Sequence, residues 1–315
     1  MPEFNDILQA HEIIGRHVHR TPVLTSESLN AICGARLHFK CENFQKVGAF
    51  KFRGALHAVF TLTEEEAKRG VATHSSGNHA AALAQAAAMQ KISAHIVMPE
   101  TAPAVKQEAV RGYGARISFC RPTLEAREKA INQVLEQTGA VFIHPYDNEK
   151  VICGQGTAAL EMLEQMPPPD VVVAPVGGGG LLSGTAIAAG HLCPAARVIG
   201  AEPQSADDAR RSFHSNTLVP SVNPQTIADG LLTSLSPRTF GIIRQRVADI
   251  LTATEEGIVE AMRLIWERMK IVVEPSAAVP LAVVIEHPGA FQDKTVGLIL
   301  SGGNVDLERL PFQTR

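Results

Sequence analysis

One stretch of the chain, VVVAPVGGGGLLSGTAIAAG at residues 171–190, restricts the possible folds more than any other. An apolar run of strand length meets four consecutive glycines, and an Ala-rich stretch of helical composition follows at once. Such apolar strands are buried on both faces, which is typical of parallel sheets covered by helices. Glycines between a strand and a helix let backbone N–H groups approach an anion, beside the partial positive charge of the helix N-terminus. A flexible surface loop fits this position less well, so we predict an anion-binding loop in an α/β protein.

The same loop limits which anion is expected. It matches neither the GxGxxG pattern of dinucleotide-binding proteins nor the P-loop, because no GK[ST] follows the glycines. The sequence therefore favours a single phosphate group over a dinucleotide or ATP.

Short apolar runs alternate with Ala-rich helical stretches along most of the chain, which predicts the α/β class. Two α/β segments are distinguishable, at roughly residues 70–147 and 150–315. The break between them, HPYDNEK at residues 144–150, has the composition of a turn rather than of a linker, so the two units are expected to share a cleft.

Composition excludes several classes of protein. With 315 residues, 45% hydrophobic content and a formal net charge of −3, the chain is expected to be a soluble globular protein. It has no basic excess for nucleic acid, no apolar run of membrane-spanning length and no N-terminal secretory signal, which predicts a cytoplasmic protein. The five cysteines are scattered without CxxC spacing and are interpreted as reduced.

A single lysine, Lys51, stands between Phe50 and Phe52 in the stretch FQKVGAFKFRGAL. An amine held among apolar neighbours loses proton affinity, because burial disfavours its charged form. A deprotonated amine is a nucleophile, so Lys51 is a candidate for covalent chemistry rather than an ordinary solvated lysine.

Three further motifs have both a functional and an ordinary interpretation. Ser75, Ser76 and Asn78 surround a glycine at a predicted helix start, where they could bind an oxygen anion or simply cap the helix. Ser301 ends the strand of LILSGGN, the edge at which open α/β sheets bind ligands, although a serine in such a turn is common. Glu274 in KIVVEPSAA is by itself interpreted more readily as a surface carboxylate at a strand end.

An acidic loop, GAEPQSADDARRS, follows another predicted strand and carries Glu202, Asp207 and Asp208. Clustered oxygen ligands suit Mg²⁺ or Ca²⁺, but spacing alone favours a solvated loop. The twelve histidines include no second ligand pair at a metal-binding spacing and are interpreted as structural or surface residues.

Taken in order, these motifs resemble the serine/threonine dehydratase and serine racemase family of fold-type II pyridoxal-phosphate (PLP) enzymes. The resemblance covers nearly the whole chain and is closest to the serine racemase and threo-3-hydroxyaspartate dehydratase branch. It implies a tryptophan-synthase-β-like α/β fold of two open twisted sheets with helices on both faces. The expected division is a large PLP-binding domain of residues 1–69 and 148–315 and a small domain of residues 70–147. The matching motifs are ENFQKVGAFKFRGA, SSGNHA, HPYDNEKVICGQGT, PVGGGGL, TIADGL, VEPSAA and SGGN.

The resemblance also implies roles for the cofactor-binding residues. Lys51 is expected to form a covalent imine with PLP, Asn78 to bond the ring hydroxyl and Ser301 to face the ring nitrogen. The glycine loop is expected to hold the phosphate. The complete set of expected cofactor contacts is Phe50, Lys51, Asn78, Gly177, Gly178, Gly179, Gly180, Leu181, Glu274 and Ser301.

The substrate and metal sites are expected on the same basis. Glu202, the Ala206 carbonyl and Asp208 match the divalent-cation site of racemase-like members, which implies Mg²⁺, or Mn²⁺ or Ca²⁺ in its place. A homodimer is also implied. The expected substrate-binding residues are Ser75, Ser76, Gly77, His79, Arg127 and Gly230.

The family resemblance predicts an ammonia-lyase that converts L-serine, L-threonine or threo-3-hydroxyaspartate to a 2-oxo acid and ammonia. Lys51 would remove the Cα proton, and a serine rather than an acid at position 301 favours prompt loss of a β-hydroxyl. One alternative is a serine or aspartate racemase in which Ser76 acts opposite Lys51. Another, from a different class, is a non-catalytic amino-acid-binding protein. The region DGLLTSLSPRTF borders the substrate side chain and departs from typical members, so substrate choice stays open.

Overall fold

Two β-sheets organise the protein in the computed structural model, which describes residues 1–75, 77–102 and 104–312. Six strands form the larger sheet: β1 (Val23–Leu24), β2 (Arg36–Cys41), β7 (Val171–Pro175), β8 (Arg197–Pro203), β9 (Asp249–Ala253) and β10 (Thr295–Leu300). Their order is β1-β2-β10-β7-β8-β9, and only β1 runs antiparallel to its neighbour. Four parallel strands in the order β5-β4-β3-β6 form the smaller sheet: β3 (Val71–His74), β4 (Ala94–Pro99), β5 (Arg116–Cys120) and β6 (Val141–Phe142).

Helices connect these strands and cover the sheets. The first seven are α1 (Phe4–Ile14), α2 (Glu27–Cys33), α3 (Lys51–Phe60), α4 (Glu64–Arg69), α5 (Asn78–Gln90), α6 (Ala104–Gly112) and α7 (Leu124–Thr138). The others are α8 (Glu149–Gln165), α9 (Gly180–Leu192), α10 (Asp208–Ser215), α11 (Pro237–Arg246), α12 (Glu255–Leu264), α13 (Pro275–Glu286) and α14 (Pro288–Phe291). No helix of the described ranges is both long and apolar enough to pass through a bilayer.

The central strands of the larger sheet are apolar throughout because both of their faces are covered. Every residue of β7 and of β10 is buried. One face packs a core against α2, α12 and α13, and the other packs a second core against α1, α8, α9 and α11. Around the smaller sheet, α5 contributes to one core and α7 to another. The predicted class of two open sheets with helices on both faces is confirmed.

Local sequence signals set where the helices near the cleft begin. Asn148 caps α8 by accepting a hydrogen bond from the Val151 N–H, and Thr123 caps α7 by accepting from the Ala126 N–H. By contrast, α9 has no side-chain cap, and its N-cap residue is Gly179 with a φ of 85°. The first N–H groups of α9 are thus left open to an external partner.

The strand order brings distant segments of the chain to one place. β3, β7 and β10 are interior strands whose carboxyl ends lead into Ser75, the glycine loop and Ser301 respectively. Crevices outside the carboxyl ends of such strands are where open α/β sheets bind ligands.

Candidate active site

A cavity of about 210 Å³ collects most of the predicted site. All the predicted cofactor residues line it, from Phe50 to Ser301. The predicted substrate residues Ser75, Gly77, His79, Arg127 and Gly230 line it as well. Ser76, the predicted second base of a racemase, lies outside the described residues.

Lys51 is the first residue of α3, and its side chain extends into this cavity. Its Nζ donates a hydrogen bond to the Pro145 carbonyl at 3.0 Å and lies 5.1 Å from the centre of the Phe50 ring. The side chain remains partly accessible from the cavity, but protein atoms surround the amine. Burial lowers the pKa of Lys51 to about 8, although the negative charge of Glu274 opposes this shift. A substantial fraction of the amine is therefore unprotonated at neutral to mildly alkaline pH.

The glycine loop is shaped so that side chains are excluded from it. A Cβ at Gly178 would lie 2.2 Å from a ring atom of Tyr146, and one at Gly177 would lie 3.0 Å from the Cα of Leu231. The N–H groups of residues 177–180 donate no hydrogen bond to any of the described residues. Free N–H groups at the start of α9 suit this loop to binding an anion.

Asn78, Glu274 and Asn304 form a hydrogen-bonded chain at another part of the cavity wall. The Asn78 amide nitrogen donates to both Glu274 carboxylate oxygens, at 2.8 and 3.1 Å, and its oxygen accepts from Asn304 at 2.9 Å. Burial, with the charge of Asp229 as the second cause, raises the pKa of Glu274 to about 7. Glu274 is only 4% exposed, so it is not the surface carboxylate that its local sequence suggests.

Ser301 and Lys51 are held together by the backbone. The Phe50 N–H donates to the Ser301 carbonyl at 3.0 Å, and Ala49 forms an isolated antiparallel bridge with Gly302. Ser301 is 3% exposed at the end of β10. The segments that carry the lysine and the strand-end serine are thus paired directly through their main chains.

Arg127 supplies a positive charge to the part of the cavity shared with His74 and Tyr146. Its guanidinium has neither a hydrogen bond nor an ion pair with the described residues. His74 is uncharged near neutral pH, because burial lowers its pKa to about 4. The charges of His144 and Arg127 lower this pKa further. An arginine without an internal partner in a cavity is suited to bind a carboxylate of a ligand.

His79 has no free N–H group with which to bind a substrate. It is 2% exposed, and its Nε2 lies 3.3 Å from the Ile143 carbonyl oxygen. Since a carbonyl only accepts, Nε2 carries the proton, and burial holds the pKa of His79 well below its usual range. The neutral ring therefore leaves Nδ1 as an acceptor, which cannot donate to a substrate carboxylate.

The predicted metal residues Glu202, Ala206 and Asp208 are buried but do not line this cavity. Glu202 accepts hydrogen bonds from the N–H groups of Ala209 and Arg210, at 2.9 and 2.8 Å. Burial raises the pKa of Glu202 to about 9 and that of Asp208 to about 6, although Ser221 favours the charged form of Asp208. Among the described residues there is no group of three or more His, Cys, Asp or Glu side chains that could hold a metal ion. A cation here would depend on the two carboxylates and backbone oxygen.

Several cavity residues escaped the sequence interpretation. Tyr146 lies in the stretch HPYDNEK, whose composition indicates a turn, and its ring packs on the glycine loop. Lys106 and Asp229 form an ion pair of 2.5 Å, and both residues line this cavity and an adjoining one of about 770 Å³. In the sequence, Tyr146 is an aromatic residue in a predicted turn, and Lys106 and Asp229 are opposite charges far apart in the chain. Neither signal predicts that these residues line the cavity.

Comparison with known proteins identifies the family. A model of the family described as "Pyridoxal-phosphate dependent enzyme" matches residues 14–302. The chain belongs to this family. The expectation of a fold-type II PLP enzyme, rather than a non-catalytic binding protein, is therefore confirmed.

Individual relatives resemble almost the whole of this PLP enzyme. A beta-hydroxyaspartate dehydratase of Paracoccus denitrificans is 50% identical over 99% of each chain. An L-threo-3-hydroxyaspartate ammonia-lyase of Saccharomyces cerevisiae is 47% identical over 98% of this chain and 95% of its own. The crystal structure of serine racemase from Dictyostelium discoideum superposes with a TM-score of 0.92 at 50% identity, covering 96% of this chain and 98% of that one.

The residues of the cavity fit PLP. The glycine loop offers backbone donors that are free of internal partners and excludes side chains, which suits a phosphate. Lys51 offers an amine of lowered pKa, which suits covalent attachment to an aldehyde. Both groups face one cavity, as attachment at two ends of a single cofactor requires.

Proposed function

We propose that this enzyme is an ammonia-lyase that converts a β-hydroxy amino acid, L-serine, L-threonine or threo-3-hydroxyaspartate, to a 2-oxo acid and ammonia. One observation carries the proposal: Lys51, with its lowered pKa, faces the same cavity as the free glycine loop and the unpartnered Arg127. Two of the similar proteins are named for action on hydroxyaspartate. Arg127 favours that substrate in particular, since its second carboxylate is the group that serine and threonine lack.

Within this proposal, the chain's own residues divide into cofactor-holding and substrate-holding groups. Gly177 to Gly180 and the first turn of α9, including Leu181, would hold the phosphate. Phe50, Asn78, Glu274 and Ser301 would surround the ring. When bound, PLP would supply an electrophilic carbon for the amino group and a ring that delocalises charge from Cα.

Proton transfer would then fall to Lys51. Its amine is partly unprotonated near neutral pH and can take the Cα proton. Ser301 cannot act as an anionic partner for the ring nitrogen, which favours rapid loss of the β-hydroxyl over reactions that need a long-lived carbanion. Ser75, Ser76, Gly77 and Gly230 would hold the α-carboxylate and amino group, and the neutral His79 ring would form part of the cavity wall beside them.

The remaining proposals concern ion, assembly and location. A divalent cation such as Mg²⁺ would bind Glu202, Asp208 and the Ala206 carbonyl, because burial disfavours the charged forms of both carboxylates and a bound cation would favour their ionisation. Residues 1–69 and 148–315 would form the large domain and residues 70–147 the small one. A homodimer in the cytoplasm is the proposed assembly and location.

The test combines a substrate panel with one variant. Purified protein should show the visible absorbance of lysine-bound PLP and should release ammonia and a 2-oxo acid from a panel of L- and D-serine, threonine and 3-hydroxyaspartate isomers. Lys51→Ala should lose the absorbance and the activity while retaining the fold. Persistence of both in this variant would overturn the proposal.

A racemase is the second candidate, favoured by the likeness to the Dictyostelium serine racemase structure. Chiral chromatography of serine and aspartate after incubation measures it directly. Ser76→Ala should abolish racemisation more than elimination if Ser76 is the second base, whereas equal loss of the two would assign it to substrate binding alone.

A further inference from the structure

Four charged side chains are completely buried beneath the lysine-bearing helix. Lys40, Glu42 and Arg53 are 0% exposed and Glu161 is 1% exposed. We call this set the buried charge cluster; its formal charges, two positive and two negative, cancel. Burying four charges is expensive, so their retention beside a reactive lysine calls for a role.

Arg53 is the centre of the buried charge cluster because its guanidinium forms hydrogen bonds with both carboxylates. It donates to Glu42 through Nε and Nη2, at 2.7 and 2.8 Å, and to Glu161 through Nη1 and Nη2, both at 2.8 Å. Lys40 donates to Glu161 at 2.8 Å and to the Thr21 carbonyl at 2.7 Å. Paired bidentate contacts fix both the position and the plane of the guanidinium.

The hydrogen bonds of Arg53 to Glu42 and Glu161 determine how α3 is rotated about its axis. Lys51 and Arg53 are two residues apart, which is about 200° around an α-helix. Lys51 therefore extends into the cavity on one side while Arg53 is held in the interior on the other. Close packing against α8 also holds this turn of α3 in place, because a Cβ at Gly54 would lie 2.4 Å from the Gln155 side chain. A helix clamped by Arg53 cannot turn without moving the Lys51 amine.

The buried charge cluster also reaches the strand that leads to Ser301. Lys40 lies on β2, and its register partner on β10 is Ile299. Glu42 directly follows β2, whose last residue, Cys41, pairs with Leu300 immediately before Ser301. Lys51 and Ser301 are thus tied to one another through Arg53 and β2, in addition to the backbone hydrogen bond from Phe50.

We propose that the buried charge cluster is a positioning device for Lys51, which holds the amine in line with Ser301 and the glycine loop. The inference rests on the proposed function, since it assigns the cluster to the placement of that reactive lysine. None of its four residues lines the cavity, so they act through α3 and β2 and not by touching the substrate.

A charge-compensation experiment tests this role. Glu161→Gln leaves one excess positive charge and removes one side of the grip on Arg53. We expect kcat to fall about 100-fold with KM little changed, as for a displacement of about 1 Å at a reacting group. The absorbance maximum of lysine-bound PLP and its pH titration should shift in parallel. Lys40→Gln combined with Glu161→Gln restores neutrality and should recover kcat about tenfold relative to the single variant.

The control separates positioning from general destabilisation. Leu29→Ala, in the core on the α13 side, should lower the unfolding midpoint in urea and leave kcat and the absorbance unchanged. If Glu161→Gln fails to fold, the double variant is compared with Leu29→Ala, and a kcat below that of the control supports positioning. Normal kcat and absorbance in a folded Glu161→Gln variant would overturn the inference, as would a double variant with the kcat of the control where the single variant does not fold. An inactive wild-type enzyme with lysine-bound PLP would instead count against the proposed function.

Discussion

Two buried groups of charges in this protein differ in whether they are complete. In the buried charge cluster, every carboxylate faces a cation at hydrogen-bonding distance. Around Glu202 and Asp208, two carboxylates are buried together, and their pKa values rise to about 9 and about 6 because burial penalises their charged forms. The difference separates two kinds of buried charge: the first set is balanced by the chain itself, whereas the second is the proposed site of a cation from outside.

The largest expected effect comes from unbalancing the complete set. Arg53→Met leaves Glu42 and Glu161 facing each other with only Lys40 as a cation. We expect the free energy of unfolding to fall by about 3–5 kcal/mol, the range for breaking a buried ion pair from one side. Urea denaturation of the purified protein measures it, and a loss below about 1 kcal/mol would contradict the comparison.

A cation bound at Glu202 and Asp208 should instead raise the free energy of unfolding. Mg²⁺ at 100 times its dissociation constant should raise the free energy of unfolding by about 2.7 kcal/mol over protein in chelator. Thermal denaturation with Mg²⁺ and with chelator measures this difference. A cation site elsewhere would leave the gain intact in Asp208→Asn, whereas the proposed site predicts that the gain is strongly reduced there.

Removing one of the unbalanced charges should stabilise the cation-free protein. Asp208→Asn is expected to add about 1–2 kcal/mol above pH 6, because the folded protein there holds an ionised, buried Asp208 at a cost. The sign follows from the raised pKa of Asp208: the cost is absent below pH 3.8, where the carboxyl is protonated in both states. It grows between pH 3.8 and about 6, where only the unfolded chain ionises, and is constant above about 6. Denaturation in chelator at pH 3.5 and at pH 8 should therefore show the advantage only at pH 8.

The smallest expected effect concerns Glu274, the carboxylate whose charge raises the pKa of Lys51. Covalent attachment of PLP to the cofactor-free protein should accelerate as pH rises, with a midpoint near the Lys51 pKa of about 8. Glu274→Gln should move this midpoint to lower pH, since the negative charge that favours protonated lysine is removed. Stopped-flow absorbance across pH 6–10 measures the midpoint. An unchanged midpoint would indicate that Glu274 does not influence the amine.

Sequence patterns predicted the features that depend on neighbours in the chain. The strand, glycine and helix pattern at residues 171–190 led to β7, the loop and α9, and the apolar setting of Lys51 led to a cavity amine. The contacts that escaped prediction join distant segments. Asn78 and Asn304 are 226 residues apart, and Arg53 and Glu161 are 108 apart. Charged residues such as Glu161 look like surface residues in sequence, because only the tertiary fold supplies the partners that permit their burial.

The close packing of Tyr146 on Gly178 has a consequence for how this enzyme can diversify. A methyl group at position 178 and the aromatic ring at position 146 would occupy the same space, with atoms as close as 2.2 Å. The two positions cannot vary independently: an alanine at 178 requires a smaller side chain at 146, which would also reshape the cavity beside Arg127. A smaller residue at position 146 must therefore come first, and an alanine in the glycine loop becomes accessible only on that background.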